Sequence, residues 1–253
     1  MTARNYGQHC GVVTAVELVG ERWALLIVRD LLVGPRRYTD LKAGLPRIPT
    51  NILSARLKEL QESGVIRRVP LKNCGLVYEL TEFGRGLDDI VLALGRWGFL
   101  AMGDPGEGEV ITDASMTMAF RAAFRPDAAS ALPSARYEVH VGRVALLLDV
   151  DGGRLVVEPL SSAVPAASRL TAREPDLRIA AGPGIHRVIS GEVSPEQAVA
   201  QGIVRILDGD DGMLRRFART FRIDRAGVAE RPYAHVAVAG AAHGASGAAA
   251  HPA

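Results

Sequence analysis

Apolar residues recur at helical spacing in two neighbouring segments near the start of the chain. The first segment runs from Tyr38 to Leu45 and the second from Ile52 to Leu60, with only Pro46-Arg47-Ile48-Pro49 between them. A four-residue connection with two prolines leaves room only for a tight turn between helices. One stripe of the second segment should face a core and contains Leu53, Leu57 and Leu60. The pattern predicts a helix-turn-helix.

The other face of the second helix is polar. Thr50 is the expected cap at its start, and Ser63-Gly64 is the expected end. With the leucine stripe turned inward, the helical wheel turns four short or cationic side chains outward: Asn51, Ser54, Ala55 and Lys58. Side chains of this kind can reach base edges in a DNA major groove.

A basic hairpin follows this helix. Val65 to Val69 and Leu76 to Leu80 are predicted strands, joined by a turn from Leu71 to Gly75. Between Arg36 and Lys72 there are nine lysines and arginines against three acidic residues. A leucine-rich helical hairpin alone is a weak signal, but this charge excess favours nucleic acid over a merely solvated surface. We therefore interpret the hairpin as the wing of a winged helix.

The candidate DNA-contacting residues share exposure on this predicted surface and the ability to donate hydrogen bonds. They are Arg36, Arg37, Thr39, Thr50, Asn51, Ser54, Arg56, Lys58, Arg67, Arg68 and Lys72. Among them, Arg56, Lys58, Arg67 and Arg68 are expected to contact phosphates. Asn51 and Ser54 are expected to approach bases.

Further helices flank this unit. Cys10 to Val19 and Glu21 to Val33 should be helical, with Trp23 as a core residue. After the wing, Thr81 should cap a helix whose apolar face is too broad for a winged helix to bury, so a second subunit or a C-terminal domain must cover the remainder. The candidate dimerisation residues on this face are Leu87, Val91, Leu94 and Trp97.

The stretch from Cys10 to Gly98 resembles the HxlR-type winged-helix transcriptional regulators. The similarity is carried by HCGVVTAVELVGERWALLIVRDLLVGPRRYTDL, LPRIPTNILSARLKELQESGVI, VYELTEFGRGL and LGRWG. This resemblance implies a cytoplasmic homodimer that binds double-stranded operator DNA, with the terminal helices forming the dimer. The wing tip, Leu71 to Gly75, departs from the proline-rich turn of many members. Cys10 matches a cysteine position at which some members sense oxidants or electrophiles.

The charge balance changes in the second half of the chain. From Asp149 to Asp211 there are ten acidic and six basic residues, so DNA binding should be confined to the N-terminal half. We predict a domain at residues 1–102, a glycine-rich linker at 103–113, a second domain at 114–232 and a disordered tail at 233–253. Strands and helices segregate in the second domain as in an α+β fold, with Asp151-Gly152-Gly153 as a hairpin turn.

The second domain resembles the sterol carrier protein type-two fold. The similarity is carried by the DGG turn, PDLRIAAGPGIHRVISGEVSPEQAVAQGIVRIL and DGDDGMLRRFARTF, between Arg125 and Arg222. In that family a sheet and its covering helices enclose an apolar tunnel for lipid-like ligands. The resemblance implies either a sensor of an apolar small molecule or an oligomerisation module.

Other classes of function find little support. The sequence contains no nucleophile elbow, no phosphate-binding glycine loop and no pair of metal ligands at helical spacing, so we expect no enzyme, no cofactor and no metal. It shows neither a signal peptide nor a membrane span, which favours the cytoplasm. Cys10 is either a redox-sensitive thiol beside His9 or a small buried hydrophobe. The alternative function is a lipid carrier whose N-terminal domain only dimerises.

Overall fold

The computed structural model describes residues 5–71, 75–160 and 173–224. The N-terminal domain consists of six helices and a two-stranded antiparallel sheet. Its elements are α1 (Gly11–Val19), α2 (Ala24–Val33), α3 (Tyr38–Gly44), α4 (Thr50–Glu62), β1 (Ile66–Leu71), β2 (Gly75–Leu80), α5 (Glu82–Arg85) and α6 (Asp88–Ala101). The predicted helix-turn-helix and wing are confirmed as α3, α4 and the β1–β2 hairpin.

The core of this domain forms where the apolar stripes of α2, α3 and α4 meet. Leu53, Leu57 and Leu60 are all buried there, as their spacing predicted. Helix α2 begins later than expected, at Ala24, because Trp23 adopts a left-handed backbone conformation with φ of 80°. Trp23 is only partly buried against this core. The interpretation of Trp23 as a core residue therefore holds only in part.

The C-terminal domain is a five-stranded sheet with helices packed on one face. Its elements are α7 (Asp113–Ala123), α8 (Pro126–Ser130), β3 (Ala135–Val141), β4 (Val144–Asp151), β5 (Arg154–Pro159), β6 (Leu177–Ala181), α9 (Ile185–Ile189), α10 (Pro195–Ala200), β7 (Val204–Asp208) and α11 (Asp211–Thr220). The strand order is β5-β4-β3-β6-β7, and only β3 and β6 run parallel among these neighbours.

Alternation along the strands separates the two faces of this sheet. In β4, Leu146, Leu148 and Val150 are buried beneath the helices, as the predicted meander requires. Four rings fill the layer between sheet and helices and pack mostly edge to face: Phe120, Tyr137, Phe217 and Phe221. Each of the four is fully buried. The predicted DGG turn closes the β4–β5 hairpin, where Gly152 takes a φ of 56°.

Helix α7 joins the two domains. It packs against α2 and α6 on one side and against β4 and β5 on the other. Its N-terminus is fixed because Thr112 accepts a hydrogen bond from the backbone N–H of Ser115. The predicted linker ends within this helix, and the preceding residue Ile111 already packs against the C-terminal core. The two domains therefore share a packed interface.

Candidate nucleic-acid interface

The turn between α3 and α4 is held by side chains of α3. The Tyr38 hydroxyl donates to the Thr50 carbonyl at 3.0 Å, and Lys42 Nζ donates to the Ile48 carbonyl at 2.8 Å. Lys42 therefore contributes to the turn as well as to the local charge. The sequence showed no signal for these two bonds, which fix the angle at which α4 leaves the turn.

The first residue of α4 differs from the prediction. Pro49 occupies the cap position in an extended conformation, and Thr50 is the first helical residue. The expectation that Thr50 caps the helix was wrong, because the proline carbonyl already accepts the first intrahelical bond, from Leu53 N–H. Thr50 itself is exposed, so its hydroxyl remains available on the surface.

The outward face of α4 is polar and exposed. Asn51, Ser54, Lys58 and Gln61 all lie on it. Ser54 Oγ donates to the Thr50 carbonyl at 3.1 Å and lies 3.3 Å from the Tyr38 hydroxyl. The side chain of Lys58 is 77% exposed, and its nearest carboxylate, on Glu62, is 3.7 Å away. This face is one helix wide and carries donors of the kind that contact bases and phosphates.

Arg56 lies on the same helix but points toward the protein. Its guanidinium is paired with Glu21, at 3.2 Å, and with Glu59, and its side chain is 16% exposed. On the helical wheel it falls close to the leucine stripe, about 140° from Asn51. Arg56 therefore does not belong to the set expected to contact phosphates, because its side chain is largely buried and joins α4 to the segment before α2.

The wing presents two arginines on adjacent positions of β1. Arg67 is 60% exposed and contacts Glu79 on β2 at 2.6 Å. Arg68 lies over the ring of Tyr78, 5.7 Å from its centroid. Cross-strand partners hold both side chains at defined places on the surface. Lys72 and most of the wing tip lie outside the described residues.

The start of α3 is connected to the wing through the backbone. Arg36 and Tyr78 exchange two backbone hydrogen bonds, of 3.0 and 2.7 Å, and thereby add a third short segment to the wing sheet. Arg37 precedes α3, and its backbone N–H donates to Asp40 at 2.9 Å. Thr39 is exposed in the first turn of α3. The wing and the start of the helix-turn-helix are therefore joined directly by backbone hydrogen bonds.

The apolar face of α6 packs partly against the N-terminal core and partly against the C-terminal core, and the remainder is exposed to solvent. Leu87 and Val91 pack against the N-terminal core, while Leu92, Phe99 and Leu100 pack against the C-terminal core. Ile90, Leu94 and Trp97 remain exposed, Trp97 to 70%. We call these three residues the α6 patch. Of the predicted dimerisation residues, only Leu94 and Trp97 lie in it.

Cys10 is exposed at the N-terminus of α1. Hydrogen bonds from the backbone amides of Val13 and Val12 lower the pKa of its thiol. The interpretation of Cys10 as a small buried hydrophobe was therefore wrong. The cause of its lowered pKa is the helix terminus, where unpaired amides stabilise the thiolate.

Within residues 5–71, 75–160 and 173–224, no group of histidine, cysteine and carboxylate side chains is arranged to hold a metal ion. The helices of that same part of the chain are all too short or too polar to cross a membrane.

Known proteins resemble the N-terminal domain. Residues 18–104 match the HxlR-like helix-turn-helix family. The HTH-type transcriptional regulator YvaP of Bacillus subtilis (strain 168) is 38% identical over 85 residues, which make up 33% of this chain and 79% of YvaP. This chain belongs to the HxlR-like helix-turn-helix family.

Other members of the HxlR-like family align with the same third of the chain. The HTH-type transcriptional regulator Mb3122 of Mycobacterium bovis is 45% identical over 86 residues, or 33% of this chain and 54% of that protein. The crystal structure of the HTH-type regulator ytcD is 34% identical and covers 36% of this chain and 94% of its own, with a TM-score of 0.34. The family assignment therefore concerns the N-terminal domain.

Proposed function

We propose that the protein is a sequence-specific DNA-binding transcriptional regulator. The observation that carries this proposal is the outward face of α4, which is polar, exposed and flanked by the arginines of the wing. Asn51 and Ser54 approach the bases, and Lys58, Arg67 and Arg68 contact phosphates. Arg36, Arg37, Thr39 and Thr50 border this face and complete the contact surface. The naming of family members as HTH-type transcriptional regulators supports the same function.

We further propose that the regulator acts as a homodimer through the α6 patch. Three large apolar side chains on one exposed face are costly to leave in water, and a second copy of the same patch would cover them. Two copies of α4 would then read half-sites about one helical turn apart, or a multiple of it. The exposed Val12 and Val16 of α1 offer further apolar surface on the other terminal helix.

A gel shift with the DNA upstream of the gene tests the function. The protein should bind this duplex more tightly than a scrambled one. Replacing both Arg67 and Arg68 by Ala should weaken binding to both duplexes alike and flatten the slope of log affinity against log salt by about two units at most. Equal affinity of the wild type for the two duplexes would contradict sequence-specific binding.

For the C-terminal domain we propose a sensory role rather than a carrier role. Its sheet with helices on one face supports the resemblance to the sterol carrier type-two fold. The four buried rings weigh against an apolar tunnel between sheet and helices, since they occupy that layer themselves. A lipid carrier would need that space, which is why the carrier function is not favoured.

Cys10 supports a second input to the same regulator. Its thiol is exposed and its pKa is lowered by the amides of Val13 and Val12, and these conditions favour a reactive thiolate. Oxidation by diamide or peroxide should therefore change operator affinity in the wild type and not in Cys10→Ser. Equal operator binding by the oxidised and reduced wild type would assign Cys10 no regulatory role.

A further inference from the structure

A groove of about 480 Å³ lies between the two domains. One wall comes from the end of α2 and from β2 of the wing, and the opposite wall is the strand β5. Helix α7 and the start of α6 contribute Thr117, Arg121 and Asp88 to the lining. The volume is within the range of small-molecule sites.

Two polar atoms of this lining have no hydrogen-bond partner. Thr117 is 2% exposed, and its Oγ1 is unpaired. Asp88 Oδ2 pairs with Arg121 at 2.6 Å, but Asp88 Oδ1 is buried and has no partner. A buried acceptor without a donor costs free energy, and native proteins rarely retain one without a reason. Both atoms could accept a hydrogen bond from a hydroxyl or amide group in the groove.

The charge of the lining is unbalanced in favour of cations. Glu79 is engaged by Arg67, and Asp88 is engaged by Arg121. Arg154 is exposed and makes no ion pair with any residue that the structure describes, and Arg85 donates only to the Leu80 carbonyl, at 3.1 Å. Two guanidinium groups thus retain donors for an anion.

The remaining lining is apolar or backbone. Leu31, Val33 and Leu80 come from the N-terminal wall, and Leu155 and Val157 from the opposite wall. Strand β5 is the outermost of the five described strands and pairs with β4. A ligand with an apolar body, an anionic end and a hydroxyl group would satisfy all three kinds of surface.

We propose that this groove between the domains is an effector site for a small hydroxylated carboxylic acid. The carboxylate is bound by Arg154 and Arg85, and the hydroxyl donates to Thr117 Oγ1 or Asp88 Oδ1. This site is separate from the layer between the sheet and its helices, which the aromatic rings fill.

The groove adjoins the DNA-contacting elements directly. Gly34 and Pro35 in its wall precede Arg36, whose backbone is bonded to Tyr78 in the wing. Glu79 of the same wall holds Arg67. A ligand that contacts both walls can favour one relative position of the two domains over another. Operator affinity then changes by the ratio of the ligand's affinities for these two positions, typically five- to 150-fold. This regulatory part rests on the proposed function, whereas ligand binding itself does not.

The site is tested by calorimetry on the full-length protein without DNA. The probes are hydroxybenzoates, hydroxyphenylacetates and medium-chain 3-hydroxyalkanoates, each beside its methyl ester and its deoxy counterpart. At least one free acid should bind at millimolar concentration or below. Its affinity should fall about tenfold or more in Arg154→Gln and in Thr117→Val. Arg143→Gln, an exposed arginine in the β3–β4 turn, is the matched control and should bind normally.

Thr117→Val removes the unpaired oxygen at nearly constant volume, so the variant should be at least as stable as the wild type. If Thr117→Val does not fold, the affinity of Arg154→Gln, a change at the exposed start of β5, still tests the site. Absence of binding by every probe would overturn the proposal, as would equal binding by Arg154→Gln and wild type. A subsequent gel shift with the bound acid tests the coupling separately, so failure to bind operator would not be mistaken for failure of the site.

Discussion

The two domains arrange their charged residues in opposite ways. On the outward face of α4 and on the wing, charged side chains remain largely exposed even where a carboxylate is near: the side chain of Lys58 is 77% exposed and that of Arg67 is 60% exposed. On the face of the C-terminal sheet opposite to the helices, charged residues are paired with one another. Arg178 contacts Glu138 at 3.1 Å, and Arg136 is bonded to Asp149. Glu138 also accepts from His140 at 2.6 Å.

This difference favours the N-terminal domain as the proposed DNA-binding unit. Binding to phosphates depends on cations that the nucleic acid can reach. Arg67 pairs with Glu79 but its side chain remains 60% exposed, whereas the side chain of Arg136 is 3% exposed. Paired charges on a sheet stabilise its register instead, because they lie on neighbouring strands. The acidic balance from Asp149 to Asp211 leads to the same conclusion. Counting charges along the chain favours the N-terminal domain, and the exposure of each side chain shows which arginines remain accessible there.

The largest expected effect comes from the α6 patch. Replacing Leu94 by Glu should give monomers, because a carboxylate cannot be buried in an apolar interface without a partner. Operator affinity should fall toward that for non-specific DNA, a loss of about a thousandfold or more. Sedimentation and gel shifts measure the two effects. Arg96→Glu, on another face of α6, is the control and should remain dimeric. A wild type that sediments as a monomer at micromolar concentration would refute the dimer.

A smaller effect is expected at Arg56. Arg56→Ala should lower the free energy of unfolding by about 1–3 kcal/mol, because Glu21 and Glu59 would lose their shared partner. Lys58→Ala, on the same helix, should leave stability within about 0.5 kcal/mol of the wild type. Urea denaturation compares the two. Equal free energies of unfolding for the two variants would mean that the pairing of Arg56 with Glu21 and Glu59 does not stabilise the domain.

Asp30 provides a pH-dependent test within the N-terminal domain. Burial raises the pKa of its carboxyl, although Arg29 donates to it at 2.9 Å. A raised pKa in the folded state means that stability falls as pH rises from the ordinary aspartate pKa through the raised value. Asp30→Asn resembles the protonated form, so its stability relative to the wild type should increase over that range and then level off. A difference that is independent of pH would contradict the role of burial.

The smallest expected effect is on the salt dependence of DNA binding, measured in one variant from each domain. Lys58→Ala should reduce the slope of log affinity against log salt by about one unit, since one phosphate contact is lost. Arg178→Ala should leave this slope unchanged, because Arg178 is paired within the sheet. Salt titrations of both variants on the same duplex provide the measurement. A reduced slope in Arg178→Ala would extend the DNA-binding surface into the C-terminal domain.

Much of the fold could be predicted because local patterns agreed with it. The leucine stripe of α4 and the DGG turn each depend on residues close together in sequence. The short helix α8 was missed, since five residues carry too little periodicity. The parallel pairing of β3 with β6 depends on contacts between distant segments, which a local pattern does not contain.

The candidate site was predictable in its outline but not in every residue. Asn51, Ser54 and Lys58 followed from the wheel of α4, and the structure places them on its exposed face. Arg56 was included because it is basic, and its pairing with Glu21 could not be seen, as the two residues lie far apart in sequence. The predicted dimerisation set was too large for a similar reason: Leu87 and Val91 pack against the N-terminal core, and the C-terminal domain covers a further part of the apolar face. The groove between the domains has no sequence signal.

The most direct test of the central claim is a competition gel shift with Asn51→Ala/Ser54→Ala. Both side chains are exposed, and Ser54 bonds only to its own helix and to Tyr38, so the variant should fold normally. The account predicts that preference for operator over scrambled duplex falls at least about tenfold, while affinity for the scrambled duplex and its salt slope stay unchanged. An undiminished preference for operator would contradict the claim that this face of α4 reads DNA sequence.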